Sequence, residues 1–353
     1  GSYQKAMQFQ MLMNTVAFRL GAVGVAFTGV AVLAARAAIA QESAFTGVLK
    51  TVNDTEASLA QLRVELTALS NRAPVGFNDL SNIAMLAGQL GVRGVENLTK
   101  FTETVARIAV STNLSAEAAS TSFARIFNVM QEPIKNVDRM GASIVALGNN
   151  FATTEAEITE LAERIAGAGK IAHLTTADIL GISAAATSVG VQAEAAGTAI
   201  QKMLIAITQS VATADDKLTP FARLAGTSAE QFQKLFRTAP VEAFTRVVEG
   251  LGRAGEGAFA FIDEIMGNEA RFTRTFMSMA NAGGLLRDAI LQGNAAWRDN
   301  TALLNESNRR FATTESALKT MRNAFENVAS STFEQFLPAI KGAAIGLKGL
   351  AEG

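Results

Sequence analysis

Apolar residues recur along this chain at steps of three and four, the spacing that lines one face of a helix. Ile200, Met203, Leu204, Ile207 and Val211 follow the i, i+3, i+4, i+7, i+11 series. Ile158, Leu161 and Ile165 form a second stripe, and Phe101, Val105 and Ile108 a third. The alternation of a half-buried strand is missing. The pattern predicts an all-α fold of many short-to-medium amphipathic helices, with an apolar helix near the N-terminus and no sheet.

Polar residues punctuate these stripes. Ser115 predicts an N-cap, and Thr154 with Glu157 and Ser228 with Gln231 fit capping boxes. Thr175 predicts the cap of a helix that closes at Gly190. Asn78 predicts the start of a helix that stops near Gly88, and Gly167 and Gly169 predict the end of the one begun at Thr154. Pro220 suits the first turn of a short helix ended by Gly226. Pro74 and Gly76 mark a break, and Pro133 marks a boundary. Residues 43–70 predict one helix, carrying Val48, Val52, Leu59, Leu62, Leu66 and Leu69. Leu285 to Ser307 predicts a longer one, and Ser331 with Glu334 predicts the opening of a last segment. Phe-Ala-Thr-Thr-Glu occurs at 151–155 and at 311–315, which reads as two similar helix starts. Three regions result: 1–72 with the N-terminal helices, 73–250 as a core, and 251–353 leading into apolar Gly/Ala-rich sequence.

Val16–Ala40 stands apart. Between Lys5 and Glu42 only Arg19 and Arg36 are charged, and Leu20–Ala35 is an uncharged run of 16 residues. That is shorter than the roughly 18–20 apolar residues that span a bilayer, although arginines at each end can snorkel. Ala22/Ala26 and Ala31/Ala35 repeat at four-residue spacing, which lets helices approach closely. Arg19, Gly21, Ala22, Ala26, Gly29, Ala31, Ala35 and Arg36 are therefore the candidate membrane or oligomer-seam residues. A buried helix of a helical assembly and a membrane-inserting helix are both open at this point.

Composition sharpens the picture. Alanine supplies 65 of 353 residues, proline 5, tyrosine 1 and tryptophan 1. Alanine leads the helix-propensity scale and scarce proline leaves helices unbroken. Charged residues make up 18%, below the roughly 25% of an ordinary domain. With so many small residues, this predicts several copies packed about a common axis, as a symmetric trimer or another low-order ring. A net charge of -1 argues against a whole-chain nucleic-acid binder. Cysteine is absent, so disulfides and thiolate metal sites are excluded. The single histidine, His173, excludes a histidine-based metal cluster. No phosphate loop or nucleophile elbow occurs. Gly252–Gly257 is a glycine-rich loop with the wrong spacing for phosphate, and His173 has no marked nucleophile or orienting acid. No catalytic residue, metal site or cofactor is expected. The ends read as boundaries of an internal piece of a longer protein.

The order of several short words is more specific than any one of them. Leu147-Gly148-Asn149-Asn150 is followed by Thr154 through Leu161, Gly169, Thr175 and Asp178-Ile179-Leu180. Then come Ser188-Val189-Gly190-Val191, Glu194 and Gly197-Thr198-Ala199-Ile200. Phe221-Ala222, Ala225-Gly226-Thr227-Ser228, Phe232, Ala239-Pro240, Arg271 after Gly267, and Phe336-Leu337-Pro338 complete the series. This ordered set, over roughly 75–340, resembles the core region of phage tail tape measure proteins. The resemblance implies a structural role without enzyme activity. Such proteins run inside the tail tube, set its length, and leave ahead of the DNA. The implied partners are further copies of the chain, tail tube and distal-tail or tip proteins, with DNA met only by proximity. The implied places are the lumen and tip of the virion tail, and the host envelope during ejection. Gly169, Thr175, Gly190, Gly197, Thr198, Gly226, Phe232, Pro240, Arg271 and Pro338 are the structural positions of this motif set. The alternative is a membrane-active helical protein forming a genome-passage channel, with the lipid bilayer as partner.

Overall fold

The computed structural model describes residues 26–266, 270–282 and 284–334. Among the described residues all regular structure is helical. In chain order the α-helices are α1 (Ala26–Thr51), α2 (Glu56–Ser70), α3 (Phe77–Gln89), α4 (Val95–Ser111), α5 (Ala116–Met130) and α6 (Val137–Asn150). They continue with α7 (Glu155–Ile171), α8 (Thr176–Ser188), α9 (Ala193–Thr213), α10 (Leu218–Leu224), α11 (Ala229–Thr238) and α12 (Pro240–Ala254). The last are α13 (Gly257–Met266), α14 (Ala270–Asn281), α15 (Leu285–Asp299), α16 (Ala302–Phe311) and α17 (Thr314–Glu334). Packing divides the chain into two compact units. One joins the residues up to Met85 to those from Thr313 onward, and the other is Leu86–Ala312.

In the first unit the expected helix over 43–70 is two helices. α1 runs from Ala26 through to Thr51, and the chain restarts at α2. Local hydrogen bonds cause the break: the Asp54 carboxylate accepts the Thr55 N–H at 2.7 Å, and the Thr55 hydroxyl accepts the Ser58 N–H at 3.2 Å. These side chains offer the backbone an alternative to a continuous helix. α1 buries Ala38, Phe45 and Val48. The Phe45 and Phe77 rings lie 6.2 Å apart, with the Arg63 guanidinium 5.6 and 5.8 Å from their centroids.

The structure does not support the apolar N-terminal helix over Val16–Ala40. Residues 16–25 lie outside the described residues. The remainder is the first part of α1, which continues past Ala40 and carries Arg36, Glu42 and Lys50. No helix among the described residues is long and apolar enough to cross a membrane.

α17 docks through its polar side. Asn323 donates to the Ser70 and Ala73 carbonyls at 3.3 and 3.2 Å. Asn327 donates to the Ser70 hydroxyl at 2.6 Å and to Asn71 Oδ1 at 2.7 Å, and accepts from Gln41 Nε2 at 2.9 Å. Ser331, expected to open a separate segment, lies inside this helix and donates to the Val328 carbonyl. Its hydroxyl is satisfied one turn back and therefore caps nothing.

The second unit is built on fully buried aromatic rings, among them Phe101, Phe123, Phe127, Phe221, Phe232, Phe244, Phe272 and Phe276. Burying each removes about 150–250 Å² from water, which makes them the dominant apolar contribution. The expected helix from Leu285 to Ser307 divides at Asn300, which adopts φ 52° and ends α15. Asn tolerates the left-handed region because its side chain bonds locally; here Nδ2 donates to Asp138 Oδ2 at 2.8 Å. Gly167 and Gly169 do not end α7, which continues to Ile171. The turn after it is a Schellman motif: Leu174 N–H reaches the Gly169 carbonyl and His173 N–H the Lys170 carbonyl. His173 supplies the left-handed residue with φ 59° and is exposed.

Candidate functional site

The most closely built part of the second unit is the packing of α7, α8, α9 and α15. Capping boxes set the starts of α7 and α8. The Thr154 hydroxyl accepts the Glu157 N–H while Glu157 accepts the Thr154 N–H, and Thr175 and Asp178 repeat the arrangement. α8 is buried along almost its whole length, which its near-continuous small and apolar sequence permits. At Gly181 a Cβ would lie 2.6 Å from the Ile290 Cα of α15, so only glycine allows this approach. Across the same contact a Cβ on Gly293 would lie 3.3 Å from the Ala177 carbonyl oxygen and 3.4 Å from Leu147 Cδ1.

Polar groups fix the register of this contact. Asp178 is buried; Oδ2 accepts the Thr175 N–H at 3.0 Å and Oδ1 accepts Asn294 Nδ2 at 2.8 Å. The Ser143 hydroxyl donates to the Gly293 carbonyl at 3.0 Å. A second polar knot joins α12 to α15. Arg287 reaches Glu242 at 2.7 Å and Glu249 at 3.0 Å, and Glu242 also holds Arg246 at 2.7 Å. Partial burial acts to raise the Glu242 carboxyl, but hydrogen bonds from Arg287 and Arg246 outweigh it and hold the group below its ordinary value. The hydrogen bonds to Glu249 and Glu242 raise the Arg287 guanidinium.

The motif positions are distributed through these joints. A Cβ on Gly169 would lie 2.7 Å from Ile179 Cδ1, across the α7–α8 turn. A Cβ on Gly197 would meet the Arg164 Cβ at 3.1 Å, where α9 crosses α7. The Thr198 hydroxyl donates to the Glu194 carbonyl within α9. Gly190 and Gly226 have φ of 75° and 71° and end α8 and α10. The Phe232 ring stacks on Phe221 at 6.3 Å, and Pro240 occupies the first position of α12. Arg271 lies in α14 by its backbone, and Pro338 lies outside the described residues. So do Arg19, Gly21 and Ala22. Ala26, Gly29 and Ala31 fall on the first turns of α1, Ala35 is half-buried, and Arg36 is exposed. The structure thus gathers Gly169, Thr175 and Gly197 about α7–α9 and places Gly226, Phe232 and Pro240 together on α10–α12. Gly181, Gly293, Asn294 and Arg287 are absent from the motif set. Gly181 and Gly293 sit inside helical sequence, where a glycine that costs helix propensity is the one available signal of close packing.

A cleft of about 410 Å³ lies in the first unit. Gln41, Asp79, Lys319, Arg322 and Asn323 are among the residues that line it. Lys319 pairs with Glu315 and Arg322 with Glu326, each at 2.7 Å. Among the described residues no group of His, Asp or Glu is arranged to hold a metal. The arrangement as a whole is one of helix joints that hold helices in register.

Comparison with known proteins agrees with that character. Residues 63–267 match the family model described as phage-related minor tail protein, more than half of the chain. The chain belongs to this family. Among curated proteins it is similar to one named probable tape measure protein, from Halomonas phage phiHAP-1. The two are 24% identical over 255 residues, 65% of this chain. The chain spans 29% of that relative's length. No solved structure matches the chain. Membership in the family places the protein among structural components of phage tails. The match begins within α2 and ends just past α13, so it contains the α7–α9 joints and the α10–α12 cluster.

Proposed function

We propose that this chain is a segment of a tape measure polypeptide: a structural part of the tail that takes part in setting tail length and leaves ahead of the DNA during ejection. The family match over 63–267 is the observation that carries this reading. The similarity to a probable tape measure protein, of which the chain spans 29%, supports a longer parent. In this reading the chain lies in the tail lumen or tip. It associates with further copies of itself, with tube and distal-tail proteins, and it passes towards the host envelope on ejection.

The helix lengths divide the labour within such a parent. An α-helix rises about 1.5 Å per residue, so a ruler needs long uninterrupted helix. The longest helix described here has 26 residues, and Schellman and capping motifs interrupt the rest. This supports assigning the ruler to other parts of the polypeptide and a docking or organising role to residues 86–312. Internal deletions in the parent gene test the division, with tails measured by electron microscopy. Deletions outside this segment are expected to shorten tails in proportion to the residues removed. Disruption of the 86–312 unit is expected to abolish tails without shortening them. Shortened but normal tails from a disrupted 86–312 unit would overturn the reading.

A further inference from the structure

α17 is amphipathic with the usual sides exchanged. Ser316, Asn323, Asn327 and Ser330 are buried, while Leu318, Met321, Phe325 and Val328 are 57, 65, 53 and 66% exposed. The exposed residues follow the 3-4-3 spacing of a and d positions in a heptad. We propose that this row is a contact between copies of this chain, joined through α17 as a parallel helical seam. The proposal deepens the self-association in the reading above and rests on it.

The spacing selects the occupant. A flat or grooved surface is met by an apolar stripe at least 100° wide. Here the large apolar side chains form a row one heptad seam wide. On one side it is flanked by Ala317 and Ala324, and on the other by Glu315 and Arg322. Such a seam fits a single helix of matching period, which an identical copy supplies by symmetry. Charge favours the same partner: Lys319 is neutralised by Glu315 and Arg322 by Glu326 within α17, so two like faces approach without net repulsion. Side-chain bulk sets direction. Antiparallel overlap of the whole row would place Arg322 of one copy against Arg322 of the other. Parallel overlap places Arg322 beside the small Ala317 of the neighbour.

The area sets the strength. A fully buried Phe contributes about 150–250 Å², so four residues at these exposures offer on the order of 400 Å² per copy. A standard interface has about 800 Å² per partner. The seam alone is therefore a weak contact in dilute solution, and it fills where copies are crowded.

The absence of cysteine makes the test direct. Val328→Cys and Met321→Cys each introduce a single exposed thiol on the seam, and Lys319→Cys places one off it. Mild oxidation of the full chain at high concentration is expected to give disulfide-linked pairs from the two seam variants and not from Lys319→Cys. Met321→Glu with Val328→Glu is expected to weaken association at least tenfold in sedimentation, with the circular dichroism of the parent chain retained. A chain that sediments as a monomer at every soluble concentration would overturn the seam and the self-association together. An assembly that persists in the double Glu variant, without seam disulfides, would overturn the seam alone. Disulfides formed only between Leu318→Cys and Val328→Cys chains would overturn the parallel direction.

Discussion

Gly181 of α8 and Ile290 of α15 meet backbone to backbone: a Cβ added to the glycine would stand 2.6 Å from the Ile290 Cα and 2.9 Å from its N. Neither atom belongs to a side chain that can rotate away. The two helices are thereby held at a distance that only glycine permits, and the Asn294–Asp178 hydrogen bond fixes where along their length they cross.

Gly181→Ala is expected to destabilise the second unit by about 1–3 kcal/mol, the range for overpacking a filled interior. Gly167→Ala is expected to act in the opposite sense. Gly167 is exposed within α7 and a Cβ there meets nothing within 4 Å, so the gain in helix propensity of about 0.5–1 kcal/mol is not opposed. Urea unfolding midpoints of the two variants should move in opposite directions.

Asp178→Ala removes both the capping-box acceptor of the Thr175 N–H and the acceptor of Asn294. The expected cost is about 2 kcal/mol, larger than the roughly 1 kcal/mol of Asn294→Ala. Because the two share a hydrogen bond, the double variant should cost less than the sum. A double-mutant cycle in urea checks this.

The Arg287 knot predicts acid sensitivity. The Glu242 carboxyl lies below its ordinary value near 4.5 in the folded protein. A carboxyl depressed on folding contributes stability that is present above its unfolded value and is lost as pH falls through the folded value. The wild-type chain should therefore hold this contribution at neutral pH and lose it below about pH 4.5. Arg287→Ala should lower stability at neutral pH by about 1 kcal/mol and flatten the acid limb. Thermal unfolding between neutral pH and acid measures both.

In the first unit Asn327→Ala removes the acceptor of the buried Gln41 amide and a donor to the Ser70 hydroxyl, which keeps its bond to the Thr67 carbonyl. A loss of about 1–3 kcal/mol is expected. Asn327→Asp keeps the acceptor for Gln41 but not the donor for Ser70 and Asn71, and should not restore stability. Chemical unfolding of the three chains decides it.

Helix content and most helix starts were legible because they depend on neighbours in sequence. Ser115, Thr154, Thr175 and Ser228 all accept the N–H three residues on, as their spacing predicts. The two Phe-Ala-Thr-Thr-Glu copies both open helices, but one residue out of register: Thr154 caps the first and Thr313 accepts the Ser316 N–H in the second. Breaks at Thr55 and Asn300 were not legible, because Asp, Thr and Asn are tolerated inside helices and end them only where a local side-chain bond wins. Glycines misled at Gly167 and Gly169 for the converse reason, since tertiary packing overrode propensity. The α8–α15 contact and the inverted burial of α17 depend on residues far apart in sequence, which periodicity cannot pair. Reading α17 from pattern alone would turn its apolar face inward.

The family match makes this chain a structural part of a phage tail. Quantitative peptide mass spectrometry of purified virions, before and after triggered ejection, tests it most directly. The predicted result is a fixed, small number of copies per intact tail, with the peptides lost from tails that have emptied. Intact tails that lack these peptides would contradict it.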